Sequence, residues 1–185
     1  AEEEAEESED KTGQGIGFKV LCIGGRTDFD DVSAAMLAQT MHAEGAEAAN
    51  RPHDDLASAR FREIGAGDYD CAILSFTDPS PSRASLLHIR RIKKAVPGLR
   101  VGVAIWAMPQ NAQERSDPAV RGAFAVPEAK LAEAREIGAD FVVSTFDALL
   151  AETFKHDEAA PLPASRPVRR GAFRRNVETA TLQRS

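Results

Sequence analysis

The chain has 185 residues, 43% of them apolar, with a formal net charge of -6 and two cysteines. That is enough chain for one domain with a real core plus tails, and the negative balance argues against nonspecific nucleic-acid binding. No run approaches the ~20 apolar residues that cross a bilayer, and the acidic start lacks the basic-then-apolar order of a signal peptide.

Residues 1–10 carry seven acids and no base. With Gly13, Gly15 and Gly17 following, residues 1–16 read as a disordered acidic arm. A start without Met suggests a processed chain or a piece of a longer one. Phe18 to Ile23 is a first strand, apolar and ended by Gly24-Gly25. A helix from about Asp31 to Glu44 follows, with Asp30 or Asp31 as its cap and Gly45 as its stop. It sets Val32, Ala35, Met36, Gln39 and Thr40 on one side. Ala46 to Asn50 is a second strand of weaker pattern, and a short helix covers roughly Asp55 to Ile64.

Tyr69 to Phe76 forms the third strand. A turn through Asp78-Pro79-Ser80-Pro81-Ser82 leads into a helix from Arg83 to Ala95, whose Leu86, Ile89, Ile92 and Val96 follow the spacing of a core-facing side. Arg100 to Trp106 is the fourth strand. Residues 109–124 are polar and irregular, a long loop for a compact domain. Pro127 opens a helix that Gly138 closes. Asp140 to Ser144 is the fifth strand, and a last helix buries Phe146, Leu149, Leu150 and Phe154. From His156 the chain is rich in Pro and Arg and reads as a flexible tail.

Strands alternating with helices, the strands nearly continuous in apolar residues, predict a doubly wound parallel sheet covered on both faces. The expected strand order is 2-1-3-4-5. The domain spans residues 17–155, between the arm of 1–16 and the tail of 156–185. Cys22 and Cys71, inside strands, read as reduced core thiols.

In such sheets ligands sit at the carboxyl ends of the strands. The candidate positions are therefore Gly24, Gly25, Arg26, Thr27, Asp28 and Asp30 after the first strand, with Ser75, Thr77 and Asp78 after the third and Trp106 after the fourth. They fit a small polar ligand, and the Asp and Ser positions fit ordinary helix capping equally. Neither G-x-G-x-x-G nor a Walker pattern is present, nor is a G-x-S-x-G nucleophile elbow. A phosphoacceptor receiver would need an Asp ending the third strand and a Lys after the fifth; Asp78 comes late and Ser144-Thr145-Phe146 has no Lys. Three carboxylates in one loop make magnesium conceivable, but no metal site is expected: His42, His53, His88 and His156 lie on separate elements. Arg83, Arg90, Arg91, Lys93 and Lys94 form a basic helix face that is either solvated or open to an acidic partner.

The run from Phe18 to Phe154 resembles the cobalamin-binding domain of methyltransferases and mutases, a flavodoxin-like sheet. That family carries D-x-H-x-x-G after the first strand; here the spacing reads Asp28-x-Asp30-x-x-Ser33. Ser75-Phe76-Thr77 is similar to its serine-bearing loop, and Glu136 to Asp140 is similar to its entry into the last strand. The resemblance implies a scaffold without its cofactor, because Asp30 stands where the cobalt-ligating His would be and Ile105-Trp106 stand where the family's glycine pair admits the nucleotide tail. Cobalamin is therefore not expected. The chain also resembles the C-terminal domain of autoinducer-2 exporter-like (PerM) permeases, which implies a cytoplasmic domain at the inner face of a membrane, joined to a permease part of the same protein.

The expectation is a non-catalytic regulatory, ligand-sensing or assembly domain, open to homodimerisation. The alternative is a functional corrinoid-binding module of a methyltransferase or regulator. A cryptic enzyme using Asp28, Asp30 and Ser75 has no base–nucleophile pattern to support it.

Overall fold

The structure, a computed structural model, describes residues 13–57, 68–107 and 125–155. The acidic residues 1–12, the loop of 109–124, most of the helix expected over Asp55 to Ile64 and the tail from His156 lie outside them. The chain divides after Lys155 into two units, and the described residues belong to the first.

Five strands form one sheet: β1 (Lys19–Gly24), β2 (Glu47–Arg51), β3 (Cys71–Phe76), β4 (Arg100–Ile105) and β5 (Phe141–Val143). Every neighbouring pair is parallel, in the order β2-β1-β3-β4-β5. The helices are α1 (Asp28–Ala43), α2 (Asp54–Ala57), α3 (Arg83–Leu86), α4 (His88–Ala95), α5 (Glu128–Ile137) and α6 (Phe146–Thr153). This is the flavodoxin-like α/β arrangement that the alternating pattern predicts. No helix among the described residues is long and apolar enough to cross a membrane.

Alternation along the strands sorts the core into two layers. Leu21, Ile23, Leu74, Phe76, Val103 and Ile105 pack with Leu56 of α2, Leu86, Ile89 and Ile92 of α3 and α4, and Ile137 of α5. Val20, Cys22, Cys71, Ile73 and Ala104 pack on the other face with Ala34, Leu37 and Met41 of α1 and with Leu149 of α6. Both cysteines are free and buried; burial raises the Cys22 thiol and pushes Cys71 up to about 12. They behave as small apolar fillers.

Beyond shifts of one or two residues at strand ends, three features differ from the sequence reading. Helix α1 begins at Asp28, because Thr27 is the N-cap: its hydroxyl accepts from the Asp30 amide while the Asp30 carboxylate accepts from the Thr27 amide. This reciprocal pair is a capping box, so Asp30 serves as its third position and neither Asp30 nor Asp31 is the cap. The side of α1 that carries Val32 and Met36 faces outward, and the buried stripe is Asp30, Ala34, Leu37, Ala38 and Met41. The helix expected over Arg83 to Ala95 is divided at Leu87. Residues 13–17, read as the end of the arm and the start of the domain, form a turn whose Gly15 amide donates to the Glu44 carbonyl.

Candidate functional site

The order β2-β1-β3 places a topological switch between β1 and β3, where a crevice normally opens beyond the strand ends. Here Gly24 stands level with Ser75, the Gly25 amide donates to the Ser75 carbonyl, and the Trp106 amide donates to the Phe76 carbonyl. The ends of β1, β3 and β4 are thus tied together past their last paired residues. Close approach explains both glycines. A Cβ on Gly25 would come within 2.2 Å of the Phe76 ring, and one on Gly24 within 1.9 Å of an Asp31 carboxylate oxygen.

Asp30 lies at the centre of this junction, 2% exposed. Its Oδ2 accepts from the amides of Arg26 and Thr27, at 2.9 and 3.0 Å. Its Oδ1 accepts from the amide and the hydroxyl of Thr77, both at 2.7 Å. One carboxylate therefore fastens the loop after β1 to the loop after β3, with four donors already facing it. A carboxylate so engaged has no free oxygen to offer a ligand without breaking a protein bond.

Ser75 is engaged in a similar way. It is fully buried, and its Oγ accepts from the Trp106 indole Nε1 at 2.8 Å and lies 2.7 Å from the Ser33 hydroxyl. The Trp106 indole thus spans from β4 to β3 on the α1 and α6 side. Ile105, paired with it in the sequence reading, packs in the opposite layer, because consecutive strand residues point to opposite faces. Asp78 is exposed and accepts from the Ser80 amide at 2.8 Å, a local turn. Arg26, Thr27 and Asp28 are exposed at the rim.

Beside the crevice lies an arrangement that sequence reasoning missed. The Asp31 carboxylate accepts from the His53 amide at 2.6 Å and meets His53 Nδ1 at 2.8 Å, joining the start of α1 to the end of β2. Asp28, Asp31 and His53 each bring one ligand-type atom within 4.8 Å of the others. Burial lowers the His53 pKa, but the hydrogen bond and charge of Asp31, with the charges of Asp54 and Asp28, outweigh it and raise the pKa overall. With no ion between them, His53 and Asp31 form an ion pair when the imidazole is protonated. The register could have revealed it: Ile23 pairs with Arg51, so His53 falls beside the loop that begins at Gly25.

The basic face of α3 and α4 is partly neutralised from within. Arg83 pairs with Glu133 at 2.9 Å, Lys93 pairs with Asp140 at 2.7 Å, and Arg90 donates to the Ile137 carbonyl. On the other layer, a cleft of about 240 Å³ opens between α1 and α6, lined by Ser33, Met36, Leu37, Thr40, Trp106 and Phe146. Comparison with models of known protein families finds no match, and neither does comparison with curated proteins.

Proposed function

We propose that this domain is a non-catalytic assembly module on a cobalamin-binding-like scaffold whose cofactor crevice is filled by its own side chains. The observation that carries this reading is Asp30, buried and accepting four hydrogen bonds from both crevice loops. Opening the crevice for a ligand would leave those donors unpaired, at about 1–3 kcal/mol each where they stay buried. Among the described residues the crevice hydroxyls are taken up in structural bonds: that of Ser75 by Trp106 and Ser33, and that of Thr77 by the Asp30 carboxylate, which already accepts from three backbone amides. The assembly half of the reading rests on apolar side chains exposed along α1.

The test is to mix the protein with hydroxocobalamin and gel-filter the mixture. The proposal predicts that the corrinoid colour elutes with the small molecules. A coloured protein peak overturns it and favours the corrinoid-binding alternative. In the same frame we propose attachment to a permease part; the reading frame upstream of Ala1 tests it, and spanning helices there are the expected result.

A further inference from the structure

We infer that the α1 face is the contact between two copies of this chain, packed antiparallel about a two-fold axis near Ser33. The inference rests on the assembly reading above and names its partner. Helix α1 exposes three large apolar side chains: Phe29 is 78% exposed, Val32 59% and Met36 63%. Their spacing of three and four places them on one stripe of the helix. The cleft between α1 and α6 borders the same stripe, with Ser33, Met36, Leu37 and Thr40 on its α1 wall.

Knob and hole on one helix suit a second copy. The centre of the α1 wall lies seven to eight residues beyond Phe29, about 11 Å along the axis at 1.5 Å per residue. An antiparallel pair with its axis near Ser33 therefore brings each Phe29 ring over the partner's cleft. Both insertions form together, as a two-fold contact requires. The cleft volume of about 240 Å³ leaves room for a phenyl ring.

Charge selects the antiparallel arrangement. Of the three acids in the first turn of α1, Asp30 is buried and Asp31 is paired with His53, so Asp28 carries the exposed charge there. From Val32 to Ala43 the helix has no acid, and its only basic residue is His42. Antiparallel packing lays each acidic turn over the uncharged half of the other copy and opposes the helix dipoles. A parallel pair would bring the two acidic turns together.

Area sets what must be covered. The three exposed side chains offer on the order of 700 Å² over two copies, short of the roughly 1,000 Å² that a specific interface needs. Burying the cleft walls at Trp106 and Phe146 adds to this without reaching that size, so the pairing is weak and depends on insertion of Phe29. The result is a small interface and a concentration-dependent dimer.

Sedimentation velocity on the full chain, from micromolar to near-millimolar protein, tests the inference, with Trp106 emission followed on dilution. The expected result is a reversible dimer, an emission shift as it dissociates, and at least about a thirtyfold weaker dimer for Phe29→Asp, whose melting curve stays that of the wild type. A chain that is monomeric at every concentration overturns the inference, and so does a dimer indifferent to Phe29→Asp. Either failure with a colourless protein peak in the corrinoid experiment leaves the filled crevice standing and removes only this interface.

Discussion

Replacing Asp30 with Asn keeps the shape of the side chain and removes half of its accepting capacity. With the amide oxygen on the Arg26 and Thr27 amides, the NH₂ faces the Thr77 hydroxyl, which can turn to accept, and the Thr77 amide, which cannot. Bonds accepted by a carboxylate contribute about 1.5–3 kcal/mol each, so losing the Thr77 amide bond and the charge on the other three costs about 3–6 kcal/mol before relaxation. Loop relaxation and entering water bring the expected value to about 3–4 kcal/mol. For a domain of this size that lowers the melting temperature by about 10 °C. Urea unfolding followed by circular dichroism reads the difference, with an unchanged denaturant slope showing that the unfolded state is the same. Asp28→Asn is the control: Asp28 is exposed in the same turn, and its replacement should stay within about 0.5 kcal/mol. If Asp30→Asn costs no more than Asp28→Asn, the carboxylate does not fasten the two loops.

Gly25→Ala should destabilise by about 1–3 kcal/mol through collision with the Phe76 ring, and by clearly less in a Phe76→Leu background. Equal costs in the two backgrounds, measured by urea unfolding, would refute the contact. The His53–Asp31 pair should show the opposite pH sense to a buried carboxylate. A His whose folded pKa is raised contributes stability that is full below its ordinary value of about 6.5 and lost as pH rises through the folded value. The stability advantage of wild type over His53→Gln should therefore be larger near pH 5.5 than near pH 9, at about the conditions where free His is charged and neutral. His88, lowered by burial and Arg91, pulls the other way but is common to both proteins and cancels. An advantage that does not change with pH would contradict the pairing.

Most of the sheet was legible because β1, β3, β4 and β5 are almost purely apolar, whereas β2 (Glu47–Arg51) carries only a weak pattern. Val20 to Ile23 and Ala72 to Leu74 admit few readings other than buried parallel strands. Side-chain accounting at the strand ends was not legible in the same way. Asp28, Asp30 and Asp31 are alike in sequence, yet one is exposed at the rim, one is buried under four donors, and one is paired with a histidine. What separates them is the start of α1, set by Thr27 and the Asp30 carboxylate acting together. Moving that start back from Asp31 to Asp28 leaves helical phase unchanged but brings the acids into the first turn, where each points a different way. The outward apolar stripe of α1 was hidden for a related reason. Ala34, Leu37, Ala38 and Met41 compete with Val32 and Met36 for the core side, and a helix rich in Ala and Met is apolar nearly all round. His53 belongs to a contact across 22 residues, which only the register of β1 with β2 defines.

Native-state hydrogen exchange at the Thr77 amide tests the filled crevice most directly, since that group donates to Asp30 at 2.7 Å across the two loops. The account predicts slow exchange, with an opening free energy near that of global unfolding and lost in Asp30→Asn. Exchange as fast as at the exposed Ala107, with or without the carboxylate, would mean that the loops part freely and the crevice stands open.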